Sequence, residues 1–475
     1  MSTLDEKIQQ AFPDESVIKI PQNYSVFAGK NLPSFIKDFL VKRYTSSSGV
    51  LDRGGILKFL DDHIPSKDND LKNRLRTHRD EVTVLTRFIV ETDLKNDKLL
   101  FSIPDLGIKS SEGRIPDHVA RKNKELKDGE IWGVVTLAYQ PPDGHDKGFV
   151  ELVNYKAFKP YKVDLDYFRS ARKEFSITEW VDLLIRAMEY NPDGFESLSQ
   201  KMMFLSRILI FLEPRLNMIE LAPKGTGKSY IFGNLSKYGW MISGGKVTRA
   251  KLFYDMTKKT MGAITLYDFV TMDEIQTISF SDSAEIQAAL KSYLEFGYTT
   301  VANVKLMSQA GLIIMGNISL SSDKKPIKSK YFSELPETFK ESALLDRFHG
   351  FIEGWKLPRI NEDLKINGWT LNVEYFSEIL HELREKPIYA AVVGDLMDIP
   401  AKADTRDVTA VKRIATAYLK LLFPHVNDTS EIDKNDFNDY CLIPALEKRQ
   451  IIRNQIHLID EEFSYEMPDI KIISD

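Results

Sequence analysis

The chain has 475 residues, which is enough for two or three domains. Its 43% hydrophobic and 28% charged residues are typical of a soluble globular protein. The net charge of −5 argues against a protein that coats nucleic acid over its whole surface, but it is compatible with a local basic channel.

The single cysteine, Cys441, excludes an internal disulfide and a cysteine-based metal site, and it fits a reducing compartment. The N-terminus is charged and lacks the apolar core of a signal peptide. The most apolar window, residues 202–212, is interrupted by Arg207 and is too short to span a bilayer. We therefore expect a cytoplasmic protein with no membrane partner.

Residues 1–165 are predicted to form an N-terminal α+β domain. An amphipathic helix over 33–44 comes first. Strand patterns follow at 82–85, 99–103, 131–139 and 149–155, and they predict a β subdomain, for which an OB-like fold is one form. Two basic clusters in this region are either solvated helix faces or, together with the β subdomain, a DNA-binding surface. They are Arg74, Arg76, His78 and Arg79, and Arg121, Lys122, Lys124 and Lys127.

Residues 166–365 are predicted to form a nucleotide-binding core. Apolar stripes at helical spacing over 181–188 and 198–209 predict two helices that pack beside its sheet, with Thr178 as the cap of the first. The Met and Leu residues of these stripes indicate core packing rather than a cofactor site. The remaining residues, 366–475, are predicted to form a helical lid and an acidic C-terminal tail or edge strand.

A phosphate-binding loop is the most specific motif in the chain. An apolar run over 219–221 precedes Ala222-Pro223-Lys224-Gly225-Thr226-Gly227-Lys228-Ser229, and the last two residues open a predicted helix. Glycines allow backbone N–H groups to surround phosphate oxygens, the lysine reaches the β- and γ-phosphates, and the serine hydroxyl binds Mg²⁺. Ala222 stands where the usual pattern has glycine. The alternative is a glycine turn before a surface helix.

A second motif favours ATP as the substrate and Mg²⁺ as the cofactor. The apolar run over 267–272 ends in Asp273 and Glu274. We predict a parallel strand whose end brings Asp273 to the metal and places Glu274 where it polarises an attacking water. The alternative is a strand that stops at an acidic turn.

Three polar residues follow in order. Asn317 ends a buried strand pattern and is predicted to hydrogen-bond the attacking water or the γ-phosphate, or else it only starts a turn. Arg347 is predicted to reach the nucleotide of a neighbouring subunit, or else to form a surface salt bridge. Arg406 begins a helix over 405–422, where the helix dipole disfavours a cation. It is predicted to meet a phosphate, unless the helix only serves packing.

A β-hairpin is predicted over 298–305, after an amphipathic helix over 284–297. Asn303 and Lys305 are its candidate DNA contacts, and Lys305 is the better candidate for a phosphate contact.

In this order, the motifs resemble those of AAA+ ATPases. Residues 225–229, Asp273-Glu274, Asn317, Arg347 and Arg406 match in turn Walker A, Walker B, sensor 1, the arginine finger and sensor 2. Residues 292–311 and the segments around both arginines are similar to the MCM-like branch. The resemblance implies an α/β fold with a P-loop core, a parallel sheet and a helical lid. It also implies a homo-oligomeric ring, hexameric or stacked, in which Arg347 comes from the next subunit.

More closely, residues 220–229 and 272–276 are similar to the BrxL family of Lon-like ATPases from BREX anti-phage systems, which shares Ala222. This resemblance implies a ring around double-stranded DNA in a BREX-like defence setting, with other BREX components as further partners. Longer members carry a Lon-type domain with a Ser–Lys dyad after the ATPase. No such serine and lysine follow the predicted lid here, so we expect a short form without protease activity.

Three functions remain open from the sequence: an ATP-driven ring motor on DNA, a protein remodeller without protease activity, and a nucleotide-gated scaffold. A protein remodeller would be expected to have an aromatic and hydrophobic pair in its channel hairpin. The predicted hairpin has one aromatic residue, Tyr298, and one basic residue, Lys305, which favours DNA.

Overall fold

We analysed a computed structural model of the chain. It describes residues 3–29, 32–46, 50–64, 71–123, 126, 129–144, 147–157, 163–257, 259–301 and 303–473. The chain forms two compact units. One comprises Met1–Pro21, Asn31–Asp38 and Val163–Asp475, and the other Gln22–Lys30 and Phe39–Lys162. Within the described ranges, every helix is too short or too polar to cross a membrane.

The smaller unit is built around a closed five-stranded barrel. The barrel order is Val82–Asp93, Lys98–Ile103, Ile108–Ile115, Phe149–Ala157 and Gly129–Gln140, which pairs back with the first strand. The third and fourth of these are parallel, and all other neighbours are antiparallel. Four strands were predicted. The strand Ile108–Ile115 was missed because its centre, Lys-Ser-Ser-Glu-Gly, has no apolar alternation.

The barrel interior is apolar and includes Phe88, Phe101 and Tyr155, which contact one another edge to face. The helix Leu71–His78 packs Leu71 and Leu75 against this core. Its arginines, Arg74 and Arg76, therefore lie on the solvated face, which is compatible with both interpretations of this basic cluster. In the other basic cluster, Lys124 and Lys127 lie outside the described residues.

The larger unit contains a five-stranded, fully parallel central sheet. Its strands stand in the order Gly350–Glu353, Asn217–Ala222, Gly311–Asn317, Phe269–Phe280 and Gly239–Val247. The central strands are buried along almost their whole length, as expected when helices cover both faces of a parallel sheet. The predicted α/β class with a parallel sheet is confirmed.

Helices surround this sheet, and the last group forms the predicted helical C-terminal region. In chain order the longer helices of this unit are Thr3–Ala11, Leu165–Arg172, Ile177–Ala187, Leu198–Leu205, Lys228–Asn234, Ser283–Phe296, Val373–Arg384, Ile388–Leu396, Thr405–Leu422 and Ile443–His457. The cap of Ile177–Ala187 is Ser176, in a capping box with Glu179, and not Thr178 as predicted. Helix Ser34–Arg43 confirms the helix predicted over 33–44. Arg53–His63 is a further helix in the N-terminal part of the chain.

Short strand pairs complete the larger unit. Ser16–Lys19 pairs with Gly368–Leu371, and Met397–Asp398 pairs with Lys471–Ile472, so the tail ends in an edge strand. Two hairpins interrupt the connections of the central sheet, namely Tyr254–Asp255 with Thr260–Met261 and Tyr298–Val301 with Val304–Met307.

Candidate nucleotide site

The loop between strand Asn217–Ala222 and helix Lys228–Asn234 has unpaired amides. Among the described residues, the backbone N–H groups of residues 224–227 donate to no carbonyl and no side chain. Gly225 and Gly227 have φ angles of +83° and +79°, which other residue types rarely adopt. A Cβ on Gly227 would also collide with the hydroxyl of Tyr190. Successive unpaired amides in such a turn form an anion-binding concavity.

A fully buried ion pair holds this loop in place, and it was not predicted from the sequence. Arg207 and Glu220 both have 0% exposed side chains, and Arg207 Nη2 lies 2.5 Å from Glu220 Oε1. Arg207 Nη1 also donates to the carbonyl of Thr226 at 2.7 Å. The pair therefore holds a loop carbonyl away from the amides. An arginine in an apolar helix and a glutamate in an apolar strand were the available signals.

Lys228 lies beside the loop. Its ammonium donates to the carbonyls of Ala222 and Pro223 at 3.1 and 3.4 Å, and the side chain is buried. Burial lowers the pKa of Lys228, and the charge of Glu220 opposes this effect. Two carbonyl oxygens are weak partners for a buried cation, so a phosphate oxygen would replace them favourably.

Ser229 and Asp273 come together as predicted for a metal site. The Ser229 hydroxyl donates to Asp273 Oδ2 at 2.5 Å, although the two residues are 44 positions apart. One hydroxyl and one carboxylate are the few hard oxygen ligands that Mg²⁺ takes from a protein when phosphates and water supply the rest. The described residues contain no cluster of three or more His, Cys, Asp or Glu side chains that would form an all-protein metal cage.

Glu274 lies on a bulge rather than at a strand end. The strand Phe269–Phe280 continues past it, and between Asp273 and Ile278 its register shifts so that four residues face Gly244 alone. Glu274 is exposed and has a φ of +50°, a strained value for a residue with a side chain. Bulges redirect side chains next to active sites, and this one turns the Glu274 carboxylate out of the sheet.

The same bulge fixes Asn317. The side-chain amide of Gln276 donates to the carbonyl of Asn317 at 2.8 Å, and its oxygen accepts from the N–H of Asn317 at 3.1 Å. Gln276 thus replaces the strand pairing that the bulge removes and fixes the backbone of Asn317 relative to Glu274. We did not predict a role for Gln276, because a single polar residue after Asp-Glu carries no pattern.

The sheet topology places the predicted residues at two opposite edges. The loop 223–229 and Asn317 lie at the carboxyl ends of parallel strands, and Asp273 lies at the same edge, directly before the bulge in its strand. Arg347 precedes the strand Gly350–Glu353, whose first residue is level with Met218 at the amino edge. A six-residue strand separates these edges by about 17 Å.

Arg406 lies with Arg347 at the amino edge. Arg347 Nε is 2.9 Å and Arg406 Nη2 is 3.0 Å from Glu295 Oε2, and Arg406 Nη1 donates to Asp346 at 2.9 Å. The buried Arg449 fixes both segments through bonds to Asp346 and to Asp407. Among the described residues, neither Arg347 nor Arg406 contacts the loop 223–229 of its own chain.

Two hairpins leave the amino edge. In the predicted one, Asn303 and Lys305 are exposed, and Lys305 Nζ lies 4.3 Å from the ring centre of Tyr298. The hairpin ending at Met261 was not predicted; it carries Lys259, with a φ of +57°, close to its tip. The roots of both hairpins are joined by a hydrogen bond from the Ser308 hydroxyl to the Ile264 carbonyl.

Comparisons with known proteins agree with these observations. A family model described as "Lon-like protease BrxL-like, ATPase domain" matches residues 150–469, and one described as "BREX system Lon protease-like protein BrxL N-terminal" matches residues 10–139. The chain is 27% identical to "Lon-like protease BrxL" from Escherichia coli O9:H4 (strain HS), over 97% of its length and 67% of the relative. The protein of that name from Bacillus cereus (strain H3081.97) is also 27% identical, over 98% and 69%. The chain thus spans about two thirds of these relatives.

Proposed function

The chain belongs to the BrxL-like family and carries its N-terminal and ATPase domains, and from this we propose that it is a Mg²⁺-dependent AAA+ ATPase that forms a ring on double-stranded DNA. The observation that carries the proposal is that the residues predicted for one reaction lie at two opposite edges of the central sheet. The loop 223–229, Asp273 and Asn317 lie at one edge, and Arg347 and Arg406 lie at the other.

At the first edge, the residues bind and activate. The free amides of residues 224–227 bind phosphate oxygens. Lys228 gives up its hydrogen bonds to two carbonyls and binds the β- and γ-phosphates instead. Ser229 and Asp273 would hold Mg²⁺, which would supply positive charge to stabilise the phosphates during the reaction. Glu274 accepts a proton from the attacking water, and Asn317 orients that water.

At the second edge, the arginines serve a neighbour. A guanidinium about 17 Å from its own loop cannot touch its own γ-phosphate, because an arginine side chain is far shorter than a strand of this length. Arg347 and Arg406 therefore stabilise transition-state charge on the nucleotide of the next subunit. We propose that the subunits close into a ring, hexameric or in stacked rings, so that each loop receives the arginines of a neighbour. The strand order of the central sheet supports assignment to the AAA+ class.

Duplex DNA is the proposed polymer in the ring. Lys305 and Lys259 stand on two neighbouring hairpins, where they would neutralise phosphates of a DNA backbone. The five-stranded barrel supports the same conclusion. Its strand order and the helix Asp117–Lys122 between its third and fourth strands along the chain support an OB-like fold, a class that often binds nucleic acids. By family, the setting is a BREX-like anti-phage system, with other BREX components as partners.

The test is the ATPase rate with and without duplex DNA, paired with a salt titration of DNA binding. We expect DNA to change the rate and affinity to fall steeply with salt, because phosphate contacts release counterions. Lys228→Ala should abolish turnover, and Lys305→Ala should weaken DNA binding and reduce the salt slope by about one. No DNA binding at low salt would contradict the proposal.

A protein remodeller is the second candidate. Phe296 is 58% exposed and stacks on Tyr298 at 5.5 Å, so the hairpin root has an aromatic pair. ATP turnover that responds to an unfolded protein but not to DNA would favour this candidate, and negligible turnover would favour a scaffold. We expect no proteolysis, because among the described residues the buried Lys420 and Lys448 contact carbonyls, a carboxylate and an aromatic ring rather than a serine. Degradation of casein would contradict this expectation.

A further inference from the structure

Among the described residues at the amino edge, Glu295 has a carboxylate that contacts the side chains of both arginines. Its carboxylate lies 2.9 Å from Arg347 Nε and 3.0 Å from Arg406 Nη2. Arg347 is further held by the carbonyl of Ala343, and Arg406 by Asp346. In the isolated chain, both guanidinium groups are therefore occupied by partners of their own subunit.

Glu295 also lies at the base of the hairpin formed by Tyr298–Val301 and Val304–Met307, which carries Lys305. It lies in the last turn of helix Ser283–Phe296, and the strand Tyr298–Val301 follows after one residue, Gly297. Gly297 has a φ of +75°, and the carbonyl of Glu295 accepts a hydrogen bond from Arg215 Nη2 at 2.7 Å. The Glu295 backbone thus belongs to a tightly held turn at the base of the hairpin.

The charge balance favours exchange of partners. Asp346 is shared with the buried Arg449, at 2.6 Å, and Arg449 shares Asp407 with Arg453, so three carboxylates serve four guanidinium groups. The Glu295 side chain is 24% exposed and that of Arg406 is 39% exposed. Partly exposed ion pairs contribute little to stability and are replaced at small cost. The oxygens of a triphosphate from a neighbour offer each guanidinium group charge-assisted, bidentate hydrogen bonds, whereas one carboxylate is shared between two arginines here.

We propose that Glu295 is a positioning residue that couples the two arginines to the hairpin. When Arg347 and Arg406 engage the neighbour's nucleotide, they release Glu295, and the hairpin root changes its position; DNA on the hairpin acts on the arginines by the same route. The inference rests on the proposed function, since it takes the arginines to act on ATP and the hairpin on DNA. Linkage requires the effect to be equal in both directions.

The test compares Glu295→Gln with Glu285→Gln. Glu285 lies on the same helix, pairs with Arg249 alone among the residues that the structure describes and has a 59% exposed side chain, so it is a matched control. For each protein, the dissociation constant for duplex DNA is measured with ADP and with a non-hydrolysable ATP analogue. We expect the two constants to differ several-fold in the wild type and in the control, and to become equal in Glu295→Gln. Glu295→Asp should restore part of the difference.

A second readout does not depend on DNA. Hydrogen exchange of the amides over 297–308 is followed with and without the ATP analogue. We expect the analogue to change exchange in the wild type and the control but not in Glu295→Gln. If the analogue leaves the hairpin unchanged in the wild type, or if Glu295→Gln keeps both responses, the coupling is refuted. If the hairpin responds as expected but no DNA binds, the proposed DNA function fails and the coupling stands.

Discussion

At the scale of single residues, the site depends on strained or buried groups whose neighbours hold them in place. Glu274 has a φ of +50° on a bulge, and Gln276 ties that bulge to Asn317. Such backbone strain persists only where the surroundings over-determine it. The exposed position of Glu274 also leaves it accessible to water, as a general base requires.

Glu274→Gln should separate binding from chemistry. The amide keeps the shape of the side chain but cannot accept the proton, so we expect kcat to fall by about 10²-fold or more while ATP still binds. Single-turnover hydrolysis and nucleotide binding measure the two quantities. Glu285→Gln is the control for loss of one surface carboxylate. A rate near that of the wild type would show that Glu274 is not the base.

The pair of Arg207 and Glu220 makes a different prediction. Arg207→Met leaves a buried carboxylate unpaired, which should lower the free energy of unfolding by about 3–5 kcal/mol. Adding Glu220→Leu removes that charge and should restore most of the stability. The loop would still lack the bond from Arg207 to the Thr226 carbonyl, so we expect the KM for ATP to remain raised in the double variant.

Denaturant unfolding and ATP titration of these two variants check the prediction. A double variant that recovers both stability and KM would show that the pair supports the fold alone. If Arg207→Met were as stable as the wild type, the Glu220 carboxylate would not be left both buried and unpaired in that variant.

At the scale of elements, much of the site could be predicted from the sequence. The loop, the strand before it and the hairpin are local patterns, in which glycines, apolar runs and turn residues determine the backbone. The pairing of Arg207 with Glu220 could not be predicted, because two charged residues 13 positions apart meet only once a helix packs on a strand. The barrel strand Ile108–Ile115 was missed for a related reason, since tertiary pairing overrides its polar sequence.

A hydrogen bond at the start of strand Asn217–Ala222 should make the free energy of unfolding depend on pH. The N–H of Asn217 donates to Nδ1 of His349 at 2.8 Å, which requires a neutral ring. Burial, and then the charges of Arg413 and Arg449, lower the pKa of His349 well below its ordinary value of 6.5. Below pH 6.5 the unfolded chain therefore binds a proton that the folded chain does not bind, and stability falls as the pH falls.

His349→Asn tests this dependence. Asparagine offers an acceptor near the position of Nδ1 but does not titrate. We expect the free energy of unfolding of the wild type to fall by up to about 1.4 kcal/mol per pH unit below pH 6.5, relative to the variant. Urea unfolding at pH 7.5, 6.5 and 5.5 measures the difference. Equal slopes for the two proteins would contradict the assignment of a neutral buried His349.

At the scale of the whole molecule, the proposed function gives each subunit two half-sites, one at each edge of the central sheet. Under this proposal the loop edge binds a nucleotide and the arginine edge acts on the nucleotide of the next subunit, so that assembly becomes part of the chemistry. No single-chain pattern shows this division. It follows from strand direction, because Arg347 precedes a parallel strand while the loop follows its neighbour. Ala222, which departs from the usual loop pattern, is compatible with that arrangement because it is fully buried in the strand.

Mixing two inactive variants tests the shared site most directly. Lys228→Ala cannot bind the phosphates but keeps its arginines, and Arg347→Ala keeps its loop but lacks the arginine for its neighbour. Each variant alone should be inactive. After random co-assembly, about a quarter of the interfaces pair an intact loop with an intact Arg347, so ATP hydrolysis should recover to a comparable fraction of the wild-type rate. No recovery above the separate variants, in rings shown to contain both subunits, would contradict the account.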